Sequence, residues 1–288
     1  MLLDGKKTSE KILADIELKL SRHENMRMPR LDIFLIGDDF GSRKYVEMKK
    51  KVAERLGYTM TLHEYATDAS KGEVLVDLET VNSSDSVDGC MIQLPLPGGW
   101  DSAELINEIN VKKDVDGLTA ASLGGLAVGS SEVFAPATPA GIMLLLDEYG
   151  IEVEGKSVVI IGKSQVVGIP LSLMMMARDA TVTVCHIKTV GLEEICRTAD
   201  ILISATGQAG LVNEKFIKEE AVVVDVGISM GADGKLAGDV DFKAVEDLVS
   251  YITPVPGGVG PMTIAALMMN VYSGWKNSQA ATNMQLSN

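Results

Sequence analysis

Ser157-Val-Val-Ile-Ile161, continued by Gly162-Lys-Ser-Gln-Val-Val-Gly168 and then Pro170, decides the fold. Five apolar or small residues in a row, mostly β-branched, read as a strand buried on both faces. A glycine-bounded turn then leads into an apolar helical run. Strand, glycine turn and helix form the arrangement that sets phosphates on a helix N-terminus, where free N–H groups and the macrodipole favour negative charge. The loop is one residue longer than G-x-G-x-x-G between its outer glycines, so on its own it is a weak signal; its place in a βαβ unit strengthens a dinucleotide reading.

Working outward, the same alternation repeats. Downstream, Thr181–Cys185, Ile201–Ser204 and Ala221–Val226 read as further strands. Upstream, Leu31–Ile36, Thr59–Tyr65 and Val87–Leu94 read as strands, with helices expected over Thr8–Arg22, Arg43–Leu56 (Ser42 as N-cap), 71–82 and Gly141–Tyr149. A last helix starts near Met262 and is followed by a polar tail, Asn277–Asn288, expected to fray. The fold class is therefore α/β, with two domains around a cleft, the second a Rossmann-type doubly wound parallel sheet. The expected boundaries are 1–138 plus 263–288 for the first domain and 139–262 for the second. With 288 residues, the chain is near the size at which one core gives way to two.

Composition removes several function classes. A net charge of −14 argues against nucleic-acid binding, because phosphates are repelled over most of the surface. Cys90, Cys185 and Cys196 are too far apart for a metal or redox pair, and His23, His63 and His186 form no cluster, so no metal is expected. No apolar run approaches a membrane span, and the N-terminus lacks the apolar core of a signal peptide, so a cytoplasmic protein without membrane contact is expected.

Tyr251-Ile-Thr-Pro-Val-Pro-Gly-Gly-Val-Gly-Pro-Met-Thr263 is the second informative stretch. Three of nine prolines and three glycines fall within Pro254–Pro261. Linkers are polar, whereas this segment is apolar and stiff, which suits a binding loop.

Other candidates are modest singly. Tyr45 and Lys49 are four apart on a helix and share a face. Gln93 ends a strand just before Leu-Pro-Leu-Pro, where a polar amide faces the ligand end of an α/β sheet. Asp116 lies in Lys113-Asp-Val-Asp-Gly117, where an Asx-capped turn is the plain alternative. At the end of the second strand of the later unit, His186-Ile-Lys188 stands where NAD sites usually carry an acid. With Lys163 in the loop before it, this favours NADP over NAD.

Taken in order, these motifs resemble the methylenetetrahydrofolate dehydrogenase/cyclohydrolase family. The match runs through Gly37-Asp-Asp-x-x-Ser42-x-x-Tyr45-Val-x-x-Lys49, Gln93-Leu-Pro-Leu-Pro97 and Lys113-Asp-Val-Asp-Gly-Leu118. It continues with Thr138-Pro-x-Gly141, Gly162-x-Ser164-x-x-Val-Gly168-x-Pro170, Asp225-Val-Gly-Ile228 and Gly238-Asp-Val240, and closes on Tyr251–Thr263.

The resemblance implies two activities, both placed at one site: oxidation of 5,10-methylenetetrahydrofolate with NADP, then hydrolysis of the methenyl product to 10-formyltetrahydrofolate, in one-carbon metabolism and purine biosynthesis. It also implies a homodimer. Lys49 becomes the group managing protons around the attacking water, with Gln93 holding its amine and Tyr45 positioning the folate. Asp116 is set against the pterin, and Pro254, Gly257, Gly258 and Pro261 line the folate site. Gly162, Lys163, Ser164, His186, Lys188 and Ile228 fall at the cofactor. Against the family's pattern, Phe40-Gly41 replaces Pro-Ala, Ala137 a Cys, Ile187 a Ser and Ala209 a Pro. Lys163 replaces an Arg, which keeps the charge and loses the bidentate fork.

Overall fold

A computed structural model of the chain describes residues 1–23, 26–230 and 236–286. The chain divides into two compact units, one of residues 1–11 with 138–266 and the other of residues 12–137 with 267–288. Helices α1 (Gly5–Leu20) and α10 (Val259–Leu286) have residues in both.

The unit of residues 12–137 is built on three parallel strands: β1 (Arg30–Ile36), β2 (Thr59–Tyr65) and β3 (Gly89–Ile92), in the order β2-β1-β3. Their connections carry α2 (Phe40–Arg55) and α3 (Lys71–Ser83), with α4 (Ser102–Ile106) and α5 (Ala120–Ala127) following. Strand β1 lies in the middle and is buried from Leu31 onward, as a central parallel strand must be. Because the chain returns to opposite sides of β1, the C-terminal ends of β1 and β3 are where the strand order reverses. In open parallel sheets that is where ligands sit. Gln93 follows β3 directly, and α2 follows β1.

The other unit includes α6 (Ala137–Glu148) from Thr138 onward. It carries β4 (Ser157–Ile161), α7 (Gly168–Met176), β5 (Thr181–Cys185), α8 (Leu192–Cys196), β6 (Ile201–Ser204) and β7 (Val222–Asp225). A small antiparallel pair, β8 (Ser229–Met230) and β9 (Leu236–Ala237), precedes α9 (Phe242–Val245) and β10 (Tyr251–Ile252). The sheet is wholly parallel, in the order β10-β7-β6-β4-β5, which is doubly wound with its reversal beside β4. Strands β4, β6 and β7 pack an almost wholly aliphatic core that includes Val159, Leu202 and Val223. The N-terminal segment belongs here because Leu2 bridges Ile252 and Leu3 N donates to Ile252 O at 2.8 Å.

Several boundaries shift. Helix α2 begins at Phe40, and its N-cap is Asp39, whose carboxylate accepts from Ser42 N at 2.7 Å, so Ser42 is not the cap. Asp39 has the extended backbone an N-cap needs, which frees the Ser42 hydroxyl to donate to Leu94 O. Helix α6 starts at Ala137 rather than Gly141, since Pro139 is tolerated in a first turn that needs no N–H from it. Helix α10 starts at Val259 and continues to Leu286, through most of the tail expected to fray; residues 287–288 lie outside the described ones. Strand β3 is shorter than the apolar run that suggested it.

All three cysteines are free and buried. Among the described residues no helix is long and apolar enough to cross a membrane.

Candidate functional site

The carboxyl ends of β1 and β3 gather Lys49 and Gln93. Lys49 lies on the buried face of α2 with Ser42, Val46 and Ala53, and is only 5 % exposed. Its Nζ donates to Gln93 Oε1 at 2.8 Å and to Met91 Sδ at 3.3 Å. The amide of Gln93 is oriented by a second contact, Nε2 donating to Leu94 O at 2.7 Å, where Ser42 Oγ also donates. An amide held by its nitrogen presents its oxygen to the amine. Tyr45, one turn before Lys49, is half-buried, and burial raises its hydroxyl pKa.

Asp116 reaches the same place from the loop after the 3-10 turn Val111–Lys113. Cys90 of β3 forms a bridge to Asp114, which lays this loop along the strand. The two aspartates of Asp-Val-Asp-Gly divide the work. Asp114, fully buried, accepts from Leu118 N, Thr119 N (2.8 Å) and Ser122 Oγ (2.7 Å), so it caps the turn. That leaves Asp116 to Coulombic contact with Lys49. Val115 O is fixed by Asn270 Nδ2 at 2.8 Å, and Gly117 turns with φ +69° where a Cβ would strike Phe134 O.

Electrostatics follow from burial. Desolvation lowers the Lys49 ammonium to about 8, opposed by the nearby Asp116 charge. Burial raises the Asp116 carboxyl to about 6; Lys49 works against that shift and Asp114 adds to it. Near neutral pH the pair therefore holds a partly deprotonated amine beside a mostly ionised acid.

In the other unit, Gly162 stands at the end of β4, beside the strand-order reversal, with φ +126°. A Cβ there would come within 2.3 Å of Ala205 O, and one on Gly168 within 1.9 Å of Gly162 O. Both glycines permit a tight backbone approach that no side chain would allow. Ser164 Oγ accepts from Val167 N at 3.1 Å, shaping the loop, while Lys163 is exposed. After β5, His186 Nδ1 accepts from Lys188 N at 3.1 Å, which leaves the proton on Nε2. Lys188 is exposed and no acid occupies this turn. Ile228, 44 % exposed, follows β7.

The Tyr251–Thr263 stretch begins as edge strand β10, which sequence patterning missed because two residues carry no alternation. Beyond it, Gly257 has φ +108°, and Gly258 is packed so that a Cβ would meet Pro254 O at 2.6 Å. Pro254 and Pro261 flank this tight turn, both half-buried.

Sequence reasoning also missed Met91, which reads as an ordinary core residue, and gave no role to two buried acids that it quoted within motifs, Asp225 and Asp239. Asp225, at the end of β7, accepts from Gly227 N, Asp239 N and Val240 N, each at 2.9 Å. Asp239 in turn accepts from Ser204 Oγ and Thr206 N. Together they tie the ends of β6 and β7.

Residues 3–116 match the tetrahydrofolate dehydrogenase/cyclohydrolase catalytic domain, and residues 136–279 match the NAD(P)-binding domain of the same family. The bifunctional protein FolD of Methanoculleus marisnigri is 47 % identical over 283 residues, covering 98 % of this chain and 99 % of that protein. The crystal structure of the bifunctional FolD dehydrogenase/cyclohydrolase from Campylobacter jejuni is 42 % identical, with a TM-score of 0.93, over 96 % of this chain and 99 % of that one. The Trypanosoma brucei enzyme, solved with NADP and an inhibitor, is 32 % identical, with a TM-score of 0.91, over 96 % and 98 %. With motifs, both units and near-complete relatives in agreement, the chain belongs to the tetrahydrofolate dehydrogenase/cyclohydrolase family.

Proposed function

We propose that the protein oxidises 5,10-methylenetetrahydrofolate to the 5,10-methenyl form with NADP and hydrolyses that product to 10-formyltetrahydrofolate. The observation that carries this reading is the buried Lys49 amine, held by Gln93 and set beside Asp116.

The first step makes small demands on side chains. The folate's own nitrogen lone pairs drive hydride departure from the methylene carbon, so alignment is the main requirement. NADP, when bound, accepts that hydride. The donor set fits this cofactor: two glycines that no Cβ could replace shape the phosphate loop, and Lys163, His186 and Lys188 supply positive charge and a donor without a competing acid. Ser164 shapes the same loop and Ile228 adds an apolar surface.

Hydrolysis needs a base that is not a cation, because the methenyl carbon is itself positively charged. A lysine whose ammonium is lowered to about 8 is neutral often enough. Lys49 takes a proton from the attacking water and returns it to the folate nitrogen that departs as the ring opens. The new hydroxyl then loses its proton to form the formyl carbonyl, and one proton is released overall. Gln93 holds the amine, Tyr45 positions the folate ring, and Asp116 accepts from the adjacent donors of the pterin edge. Pro254, Gly257, Gly258 and Pro261 supply a stiff apolar wall.

In this reading residues 1–138 with 263–288 make up the folate-binding catalytic domain and 139–262 the NAD(P)-binding domain, although residues 1–11 and 263–266 cluster with the latter. It extends to a cytoplasmic homodimer whose one-carbon product serves purine biosynthesis. The test is an assay with 5,10-methylenetetrahydrofolate and either NADP or NAD, following reduced cofactor and methenyl product separately. Reduced NADP forming faster than methenyl accumulates, after correction for uncatalysed hydrolysis, is the expected result. No reduction of either cofactor would overturn the reading.

A further inference from the structure

Lys49 has two acceptors, and the proposed mechanism uses only one. Besides Gln93 Oε1 at 2.8 Å, the Nζ donates to Met91 Sδ at 3.3 Å. Met91 is 3 % exposed and sits in β3 two residues before Gln93, so both side chains leave the same face of the strand. A thioether is a weak acceptor in an otherwise apolar strand, and a leucine would fill the same volume.

A neutral amine has two N–H groups and one lone pair. The two acceptors, Met91 on β3 and Gln93 just after it, match the two N–H groups, which leaves the lone pair in the remaining tetrahedral position. With only Gln93 present, the amine would rotate about its terminal bond and spread that lone pair over several directions. We propose that Met91 is a positioning residue for the hydrolytic step, its thioether fixing the rotation of the Lys49 amine so that the lone pair has one direction. The inference rests on the assignment of Lys49 to proton transfer in hydrolysis.

The groups around Nζ define what a change at Met91 will do. From β3 and the residue just after it come the uncharged Met91 and Gln93. Asp116, with Asp114 behind it, acts from the loop after Val111–Lys113, and Tyr45 stands on α2 itself. Sulfur gives the ammonium a little solvation and an amide oxygen gives more. Replacing Met91 therefore moves the lysine's proton equilibrium in a direction set by the acceptor, while the acids around it stay the same.

The experiment compares wild type with Met91→Leu, Met91→Gln and Lys49→Met, measuring both activities from pH 6 to 9 on protein whose folded fraction is checked by circular dichroism. Met91→Leu should lower the ratio of hydrolysis to dehydrogenation about fivefold, the scale of one modest hydrogen bond, chiefly in kcat. Its hydrolysis midpoint should move to lower pH by about half a unit, because the ammonium loses an acceptor. Met91→Gln should move the midpoint upward and restore the ratio to within about twofold. Unmoved midpoints in both variants, or equal loss of both activities without rescue by glutamine, would overturn the proposal. Lys49→Met separates the two readings: if it keeps hydrolysis, the assignment of Lys49 falls and the role of Met91 falls with it. If hydrolysis is lost and the Met91 midpoints do not move, only Met91 is wrong.

Discussion

Lys49 is costly to bury, and the cost predicts behaviour. Its ammonium is lowered from 10.5 to about 8, so the unfolded chain binds more protons than the folded one between those values. Stability should therefore rise as pH rises from about 8 towards 10.5, and at neutral pH the buried amine destabilises the fold by on the order of 3 kcal/mol. Lys49→Met should raise the urea midpoint while abolishing hydrolysis and leaving detectable dehydrogenation; an unchanged or lower midpoint would contradict the burial argument. In wild type, hydrolysis should climb with pH through a midpoint near 8, whereas a flat profile from pH 6 to 9 would remove Lys49 as the base. Spacing offered Tyr45 and Lys49 only as a shared helix face and Gln93 as a strand end, and the family resemblance singled them out. The two aspartates of Asp114-Val-Asp116 could not be told apart there, because which one caps the turn depends on how the loop lies against Cys90. Met91 was hidden because a thioether in an apolar strand looks like packing.

At the scale of elements, the turn between β4 and α7 depends on backbone proximity. Gly168→Ala would bring a methyl group to within 1.9 Å of Gly162 O, so the loop must open. The expected outcome is loss of NADP binding by at least tenfold in fluorescence titration, roughly 1.4 kcal/mol or more, with folate binding retained. Equal affinity would show that this loop does not hold the phosphates. The long strands were readable because buried parallel strands are aliphatic runs. Strand β10 and the β8–β9 pair were not, since two residues are too few to show a period, and β10 pairs with β7 some 29 positions earlier. The Asp39 cap was masked by Ser42, an equally good capping type three residues later.

For the whole molecule, chain order predicted two α/β units, but no pattern in the residues could give the strand order β10-β7-β6-β4-β5. That order emerges only when parallel neighbours select one another across long connections. Quaternary structure is equally silent in the sequence pattern. Sedimentation equilibrium should return twice the 30.7 kDa chain mass; a single-chain mass at micromolar concentration would exclude the homodimer.

The first helix and the proline-rich turn share one more feature. Lys6 N donates to Gly257 O at 2.9 Å, and a Cβ on Gly5 would lie 1.8 Å from Gly258 O. The turn is thus clamped by backbone from a segment some 250 positions earlier in the chain. In a saturation library, Gly5 would score as intolerant as a ligand-binding position, although it needs to touch no ligand at all. Selection on the proposed binding wall would be recorded at the start of the chain, and a redesign of that turn would have to include the first turn of α1.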